Sequence, residues 1–72
     1  MDNIELIKFG QKIKFERIKR NWSQERLAEV SDISIHGISN IETGKTDVKY
    51  TNILRLALAF EMRACELLDF NL

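Results

Sequence analysis

Proline is absent and glycine occupies only three positions, Gly10, Gly37 and Gly44, so little in the composition interrupts a helix. A single cysteine, Cys65, excludes an intramolecular disulfide, and with the single histidine, His36, it leaves too few ligands for a structural zinc site within one chain. No apolar run approaches the ~18 residues that a membrane span requires. Lys and Arg number 11 against 11 Asp and Glu, so no overall basic excess announces a nucleic-acid partner. What is present is a globular balance, 44% hydrophobic and 31% charged, which is unlike the signature of disorder. At 72 residues the chain holds one domain, residues 1–72, with no room for a second core. Stability then rests on packing, and pairing with a second copy is a common aid at this size. Met1 to Glu5 carry acids where a secretory signal carries bases, which points to a cytoplasmic protein with no membrane partner. No cofactor, metal or small-molecule ligand is expected.

Apolar residues recur at spacings of three and four over most of the length, the period of an all-α chain. A first helix is expected from about Ile4 to Arg20, with Leu6, Phe9 or Gly10, Ile13 and Ile18 on or near its inward face; Asn21 suits the left-handed residue that follows a helix. Ser23 reads as the N-cap of a second helix, Glu25 favours its positive end, and Trp22, read as core, can staple onto Leu27. This helix turns Leu27, Ala28 and Val30 inward and stops near Ser31 and Asp32, aspartate being among the few non-glycine residues that tolerate positive φ. Ser34 caps a third helix, Ile33 is placed to staple onto Ile38, and Gly44 ends it. A fourth helix covers Tyr50 to Phe60, with Ile53, Leu56, Ala57 and Phe60 inward. A fifth covers Ala64 to Asp69 and supplies Leu67 and Leu68 before the tail Phe70-Asn71-Leu72, which either packs on the domain or forms a dimer seam.

Two short helices, Ser23 to Val30 and Ile35 to Glu42, joined by a sharp turn at Asp32, have the lengths of a helix-turn-helix spanning about residues 23–42. Ala28 is small enough for the two to approach closely, and Ile38 and Ile41 share one face of the later helix. Its other face turns out His36, Ser39, Asn40 and Thr43, with Ser34 and Ile35 at the exposed N-terminal end, and almost no charge. A solvated helix face usually carries Lys and Glu. Short hydrogen-bonding groups suit base edges instead, because Asn pairs bidentately with adenine and an aliphatic side chain packs on a thymine methyl. Without a second histidine or a nearby cysteine, His36 reads as a groove or surface contact rather than a catalytic group.

The zero net charge hides two halves. Residues 8–26 hold seven basic residues, Lys8, Lys12, Lys14, Arg17, Lys19, Arg20 and Arg26, against Glu16 and Glu25, whereas residues 27–72 hold four basic against seven acidic residues. Phosphate contacts supply the salt-dependent part of nucleic-acid affinity, and helix N-termini add backbone donors. Ser23 and Gln24 at the start of the second helix, Lys45 beyond Gly44, and Lys14 are therefore candidate phosphate contacts.

The run Phe9-Gly10-x-x-Ile13-Lys14-x-x-Arg17, then Trp22-Ser23-Gln24-Glu25-x-Leu27-Ala28-Glu29, then Ile33-Ser34-x-x-x-Ile38-Ser39-x-Ile41-Glu42-x-Gly44-Lys45 resembles the Cro and lambda-repressor-type helix-turn-helix family. The resemblance continues through Leu56 to Phe60 and Glu66-Leu67-Leu68, which are similar to the family's fourth and fifth helices. It implies a compact five-helix DNA-binding domain in which Ser34, Ile35, His36, Ser39 and Asn40 lie in the major groove. It further implies that Gln24, Thr43 and Lys45 touch the DNA backbone and that Arg17 and Glu42 form a structural salt bridge. The sequence departs from the family pattern at Asp32, Val48, Glu61 and Arg63. Glutamate tolerates positive φ poorly, so the corner between the fourth and fifth helices is expected to differ or to run on as a longer helix. Gly37 costs roughly 1 kcal/mol within a helix relative to alanine, and either permits close approach to the sugar-phosphate backbone or sits in a tolerant first turn.

Three classes of function compete. A small enzyme is disfavoured, because no convergent nucleophile or acid and base set is present. A protein-interaction module or antitoxin-like partner using the same fold would be favoured by an acidic third helix, which this chain lacks. A sequence-specific double-stranded DNA-binding regulator accounts for the whole constellation, acting as a homodimer on a palindromic operator with half-sites about 34 Å apart. Stand-alone chains of this kind resemble phage Cro-like regulators, restriction-modification controller proteins and antitoxins.

Overall fold

Asn3 opens the first helix by accepting hydrogen bonds from the Glu5 and Leu6 N–H groups, an N-cap that satisfies donors the first turn would otherwise leave unpaired. The computed structural model describes residues 3–69, which form helices α1 (Ile4–Lys19), α2 (Gln24–Ser31), α3 (Ile35–Glu42), α4 (Tyr50–Ala59) and α5 (Ala64–Leu67), with no strand among the described residues. Ser23 and Ser34 cap α2 and α3 as their positions predict: each Oγ accepts from the N–H three residues on, at 3.0 Å.

The helices stop by one repeated device. Asn21, Asp32, Gly44 and Glu61 follow α1 to α4 and all take a left-handed φ, between 56° and 71°. The next residue then donates its N–H back into the preceding turn, Trp22 to Arg17, Ile33 to Ala28, Lys45 to Asn40 and Met62 to Ala57. This is the Schellman arrangement, and Trp22, Ile33 and Met62 use it to fold an apolar side chain onto the core. The expectation for the α4–α5 corner is therefore overturned: Glu61 adopts φ 56° and the helix breaks there as if glycine were present. Burial of Phe60 and Met62 on either side holds Glu61 in that conformation. The Glu66 carboxylate accepts the Arg63 N–H at 2.8 Å, which serves the α5 N-terminus without a capping serine.

The core is Phe9, Ile13, Leu27, Ile33, Ile38, Ile41, Leu56, Ala57, Phe60 and Leu67, with Trp22, Ala28, Ile53 and Met62 packed at its margin. Gly10 lets α1 touch the end of α3, since a Cβ there would stand 2.3 Å from the Ile41 carbonyl oxygen. Three residues expected inside are exposed: Ile18, Val30 and Leu68. Ile18 lies in the last turn of α1 on the side opposite the Ile13 stripe, Val30 lies at the outer edge of α2, and Leu68 follows the last residue of α5. Among the described residues no helix covers those positions. Cys65 is exposed as well, and the tail Phe70 to Leu72 lies outside the described residues. No helix among the described residues is long and apolar enough to cross a membrane.

Candidate nucleic-acid interface

α3 is fixed at both ends, and its fixings leave one long side free. At the start, Ser34 caps the first turn, and a Cβ on Gly37 would come within 3.1 Å of the Ser34 Oγ. At the end, Glu42 is buried and faces Arg17, whose Nε donates to Oε2 at 2.7 Å and whose Nη2 donates to Oε1 at 3.1 Å. The same guanidinium donates to the Trp22 carbonyl at 2.8 Å, and the Gln24 amide donates to Glu42 Oε1 at 3.1 Å. One carboxylate thus ties α1, the start of α2 and the end of α3 together. Its bonds are charge-assisted and forked, so they set direction as well as contact. With Ile38, Ile41 and Glu42 buried, helical geometry turns His36, Ser39, Asn40 and Thr43 to the opposite side.

The base-facing candidates share the outer face and N-terminal end of α3. Ser34, Ile35 and His36 are exposed, while Ser39 and Asn40 are half-buried on the same outer face. The backbone-facing candidates differ in state. Ser23, Lys14 and Lys45 are exposed, and no ion pair among the described residues engages either lysine. Gln24 is half-buried with its amide on Glu42, which leaves the N–H groups of the α2 first turn as the outward donors at that end. The Thr43 hydroxyl donates back to the Ser39 carbonyl at 2.9 Å, so a phosphate contact through it requires that bond to open. Thr43 and Lys45 line an open cleft with Asn3, Leu6 and Ile7.

The basic half of the chain is largely consumed inside the fold. Glu16 is buried, and Lys12, Lys19 and Arg20 reach its carboxylate at 3.2, 3.2 and 2.8 Å. Burial by itself would raise the Glu16 pKa, but hydrogen bonds from Arg20, Lys19 and Lys12 outweigh it and hold the carboxyl well below the ordinary glutamate range, at about 2. Arg20 also donates to the Phe60 carbonyl at 2.8 Å and stacks over the Phe60 ring, which in turn lies 5.8 Å from the Trp22 ring. Arg26 pairs with Glu29 on the surface of α2. Of the seven basic residues between 8 and 26, only Lys8 and Lys14 are left without an ion pair among the described residues. Reading the sequence for phosphate contacts missed this internal use, although the i,i+3 and i,i+4 spacing of Lys12, Lys19 and Arg20 about Glu16 was its visible sign. It also missed Arg55 on α4, whose Nη1 donates to the Asp32 carbonyl at 3.3 Å and braces the turn between α2 and α3.

This geometry has a counterpart among known proteins. The helix-turn-helix family model matches residues 13–67, most of the chain and all of the α2–α3 unit. The chain belongs to the Cro/C1-type helix-turn-helix family. It is 41% identical over 71 residues to the control protein C.BamHI of Bacillus amyloliquefaciens, covering 97% of this chain and 86% of that one. Its fold superposes on the crystal structure of the restriction-modification controller protein C.AhdI from Aeromonas hydrophila with a TM-score of 0.87 and 35% identity, over 90% of this chain and 98% of that one. Like other members of the family, the protein is a helix-turn-helix DNA-binding regulator of transcription. Among the described residues no three His, Cys, Asp or Glu side chains gather as metal ligands would.

Proposed function

We propose that the protein is a controller-type transcriptional regulator that binds a palindromic operator as a homodimer and places one α3 in the major groove at each half-site. The observation that carries this reading is the uncharged outer face of α3, with His36, Ser39 and Asn40 held at a fixed angle by the Arg17–Glu42 anchor. Ser34, Ile35, His36, Ser39 and Asn40 are assigned to base edges. Ser23, the α2 first turn at Gln24, Lys14, Thr43 and Lys45 are assigned to the DNA backbone. The relatives named for control of restriction-modification systems supply the biological setting.

The homodimer is supported by α4, where Tyr50, Leu54 and Leu58 recur every four residues and stay exposed, Leu58 at 80%. An apolar row of that kind is covered well by the same row of a second copy, as a two-fold interface requires. Two α3 helices related in this way would read half-sites one helical turn apart, about 34 Å. The experiment is selection of bound sequences from a randomised duplex library at moderate salt, with the solution mass measured on the same sample. A two-fold symmetric consensus recovered from a dimer is the expected result. No enrichment from folded protein at any salt would overturn the reading.

A further inference from the structure

α3 carries three isoleucines, and the structure divides them: Ile38 and Ile41 are buried, whereas Ile35 is 44% exposed at the first position of the helix. Core packing does not account for Ile35, because Ile33 already fills the interior beneath the turn that leads into α3. One turn on from Ile35 stands Ser39, and the neighbouring column of the helix holds His36 and Asn40. Ile35 is thus the apolar group on the face assigned to base edges. It sits at the N-terminal end, the part of such a helix that meets the bases. Its β-branched side chain has one strongly preferred χ1 in a helix, so its direction is fixed before any duplex arrives.

What α3 lacks narrows the base it can choose. It contains no Lys or Arg, so the commonest specific contact, a cation on guanine O6 and N7, is not available from it. Its one acid, Glu42, is buried and engaged by Arg17 and Gln24, so it does not serve the cytosine N4 amino group. Ser34 and Ser39 hydrogen-bond to either kind of pair, and His36 has no fork of parallel donors. An aliphatic side chain, by contrast, recognises the C5-methyl group that thymine presents in the major groove. We infer that Ile35 reads a thymine through that methyl group, which makes one position of each half-site a 5-methylpyrimidine. The inference rests on the placement of α3 in the major groove and names the base that its first turn selects.

The test starts from the duplex selected with the full chain. Each thymine of the half-site is replaced in turn by uracil, in both half-sites together, which removes the methyl group and keeps the pairing and the O4 acceptor. One position should lose about fourfold in affinity per half-site, the worth of one methyl group taken out of water. Ile35→Val should keep that preference and Ile35→Ala should bind thymine and uracil alike there, with thermal unfolding showing both variants folded. At the same position 5-methylcytosine should bind less tightly than thymine and at least twofold more tightly than cytosine. Equal affinity for thymine and uracil throughout the half-site would overturn the inference, as would a thymine preference that Ile35→Ala leaves unchanged. Binding of 5-methylcytosine no better than cytosine would overturn the methyl contact, and binding tighter than thymine would overturn thymine as its source. In each of these cases the parent protein still binds its selected duplex and the DNA reading stands, whereas failure of folded protein to select any duplex would overturn both.

Discussion

Arg17 grips Glu42 through two hydrogen bonds, at 2.7 Å and 3.1 Å, across 25 residues of sequence, and both side chains are largely withdrawn from water. The contact joins the last full turn of α1 to the end of α3, the helix proposed to enter the major groove. Because Gln24 and the Trp22 carbonyl share it, the orientation of α3 relative to the α2 N-terminus depends on this one site. Arg17→Ala or Glu42→Ala should each destabilise the fold by about 3–5 kcal/mol, since either leaves a buried charge uncompensated. Urea unfolding of both single variants and the double variant measures it. The double variant should lose much less than the sum of the two, because the orphaned charge is then gone.

Glu16 predicts a specific acid sensitivity. Its carboxyl is held at about 2 in the folded chain, below the ordinary glutamate value of about 4.3 in the unfolded one. A depressed pKa contributes stability that is fully present above the ordinary value and is lost as the pH falls through about 2. Glu16→Gln should therefore cost roughly 1–3 kcal/mol at pH 7. Unfolding curves at a series of pH values should show the gap between parent and variant closing between about pH 4.5 and about pH 2. A gap that is constant across that range would remove the three-cation cluster as its source.

Two positions on the proposed DNA face should behave differently. Asn40→Ala should cost about 1–3 kcal/mol at particular base pairs and relax specificity there. Lys45→Ala should weaken binding evenly on all sequences and reduce the slope of log affinity against log salt by about 1. Titrations on the selected operator and on its single-base variants, at several salt concentrations, separate the two. An Asn40→Ala loss that is the same on every sequence would sink its base-reading role.

The α4–α5 corner offers a gain. Glu61 sits at φ 56°, where a side chain costs an L-residue about 1–2 kcal/mol and glycine nothing. Part of that advantage is returned through the greater freedom of glycine in the unfolded chain. Glu61→Gly should raise stability by up to about 1 kcal/mol, seen as a higher melting temperature in calorimetry.

Local features of the sequence were sufficient for the limits of α1 to α3, but not for the corner at Glu61. Ser23 and Ser34 cap where they stand, and Asn21, Asp32 and Gly44 end their helices, because a cap or a left-handed stop involves only residues within one turn. The outward, uncharged side of α3 was legible for the same reason: Ile38 and Ile41 mark one face and the 3.6-residue period assigns the other. The edges of the apolar stripes were not legible. Periodicity places Ile18 and Val30 near an inward face, but whether a borderline residue is covered depends on which helix crosses it, and none does.

The use of the charges was likewise decided by the tertiary structure. Lys12, Lys19 and Arg20 stand one turn from Glu16 in any α-helix, where such pairs are ordinarily solvated and weak. Only the arrival of the α4 end, bringing the Phe60 carbonyl and ring onto Arg20, takes Glu16 out of water and turns a basic stretch into an internal clamp. Local sequence thus determined where α1 to α3 begin and end and which side of α3 faces out, because those choices are made by hydrogen bonds and helical period within a few residues. Which charges remain free to meet DNA was settled by packing between segments 40 residues apart.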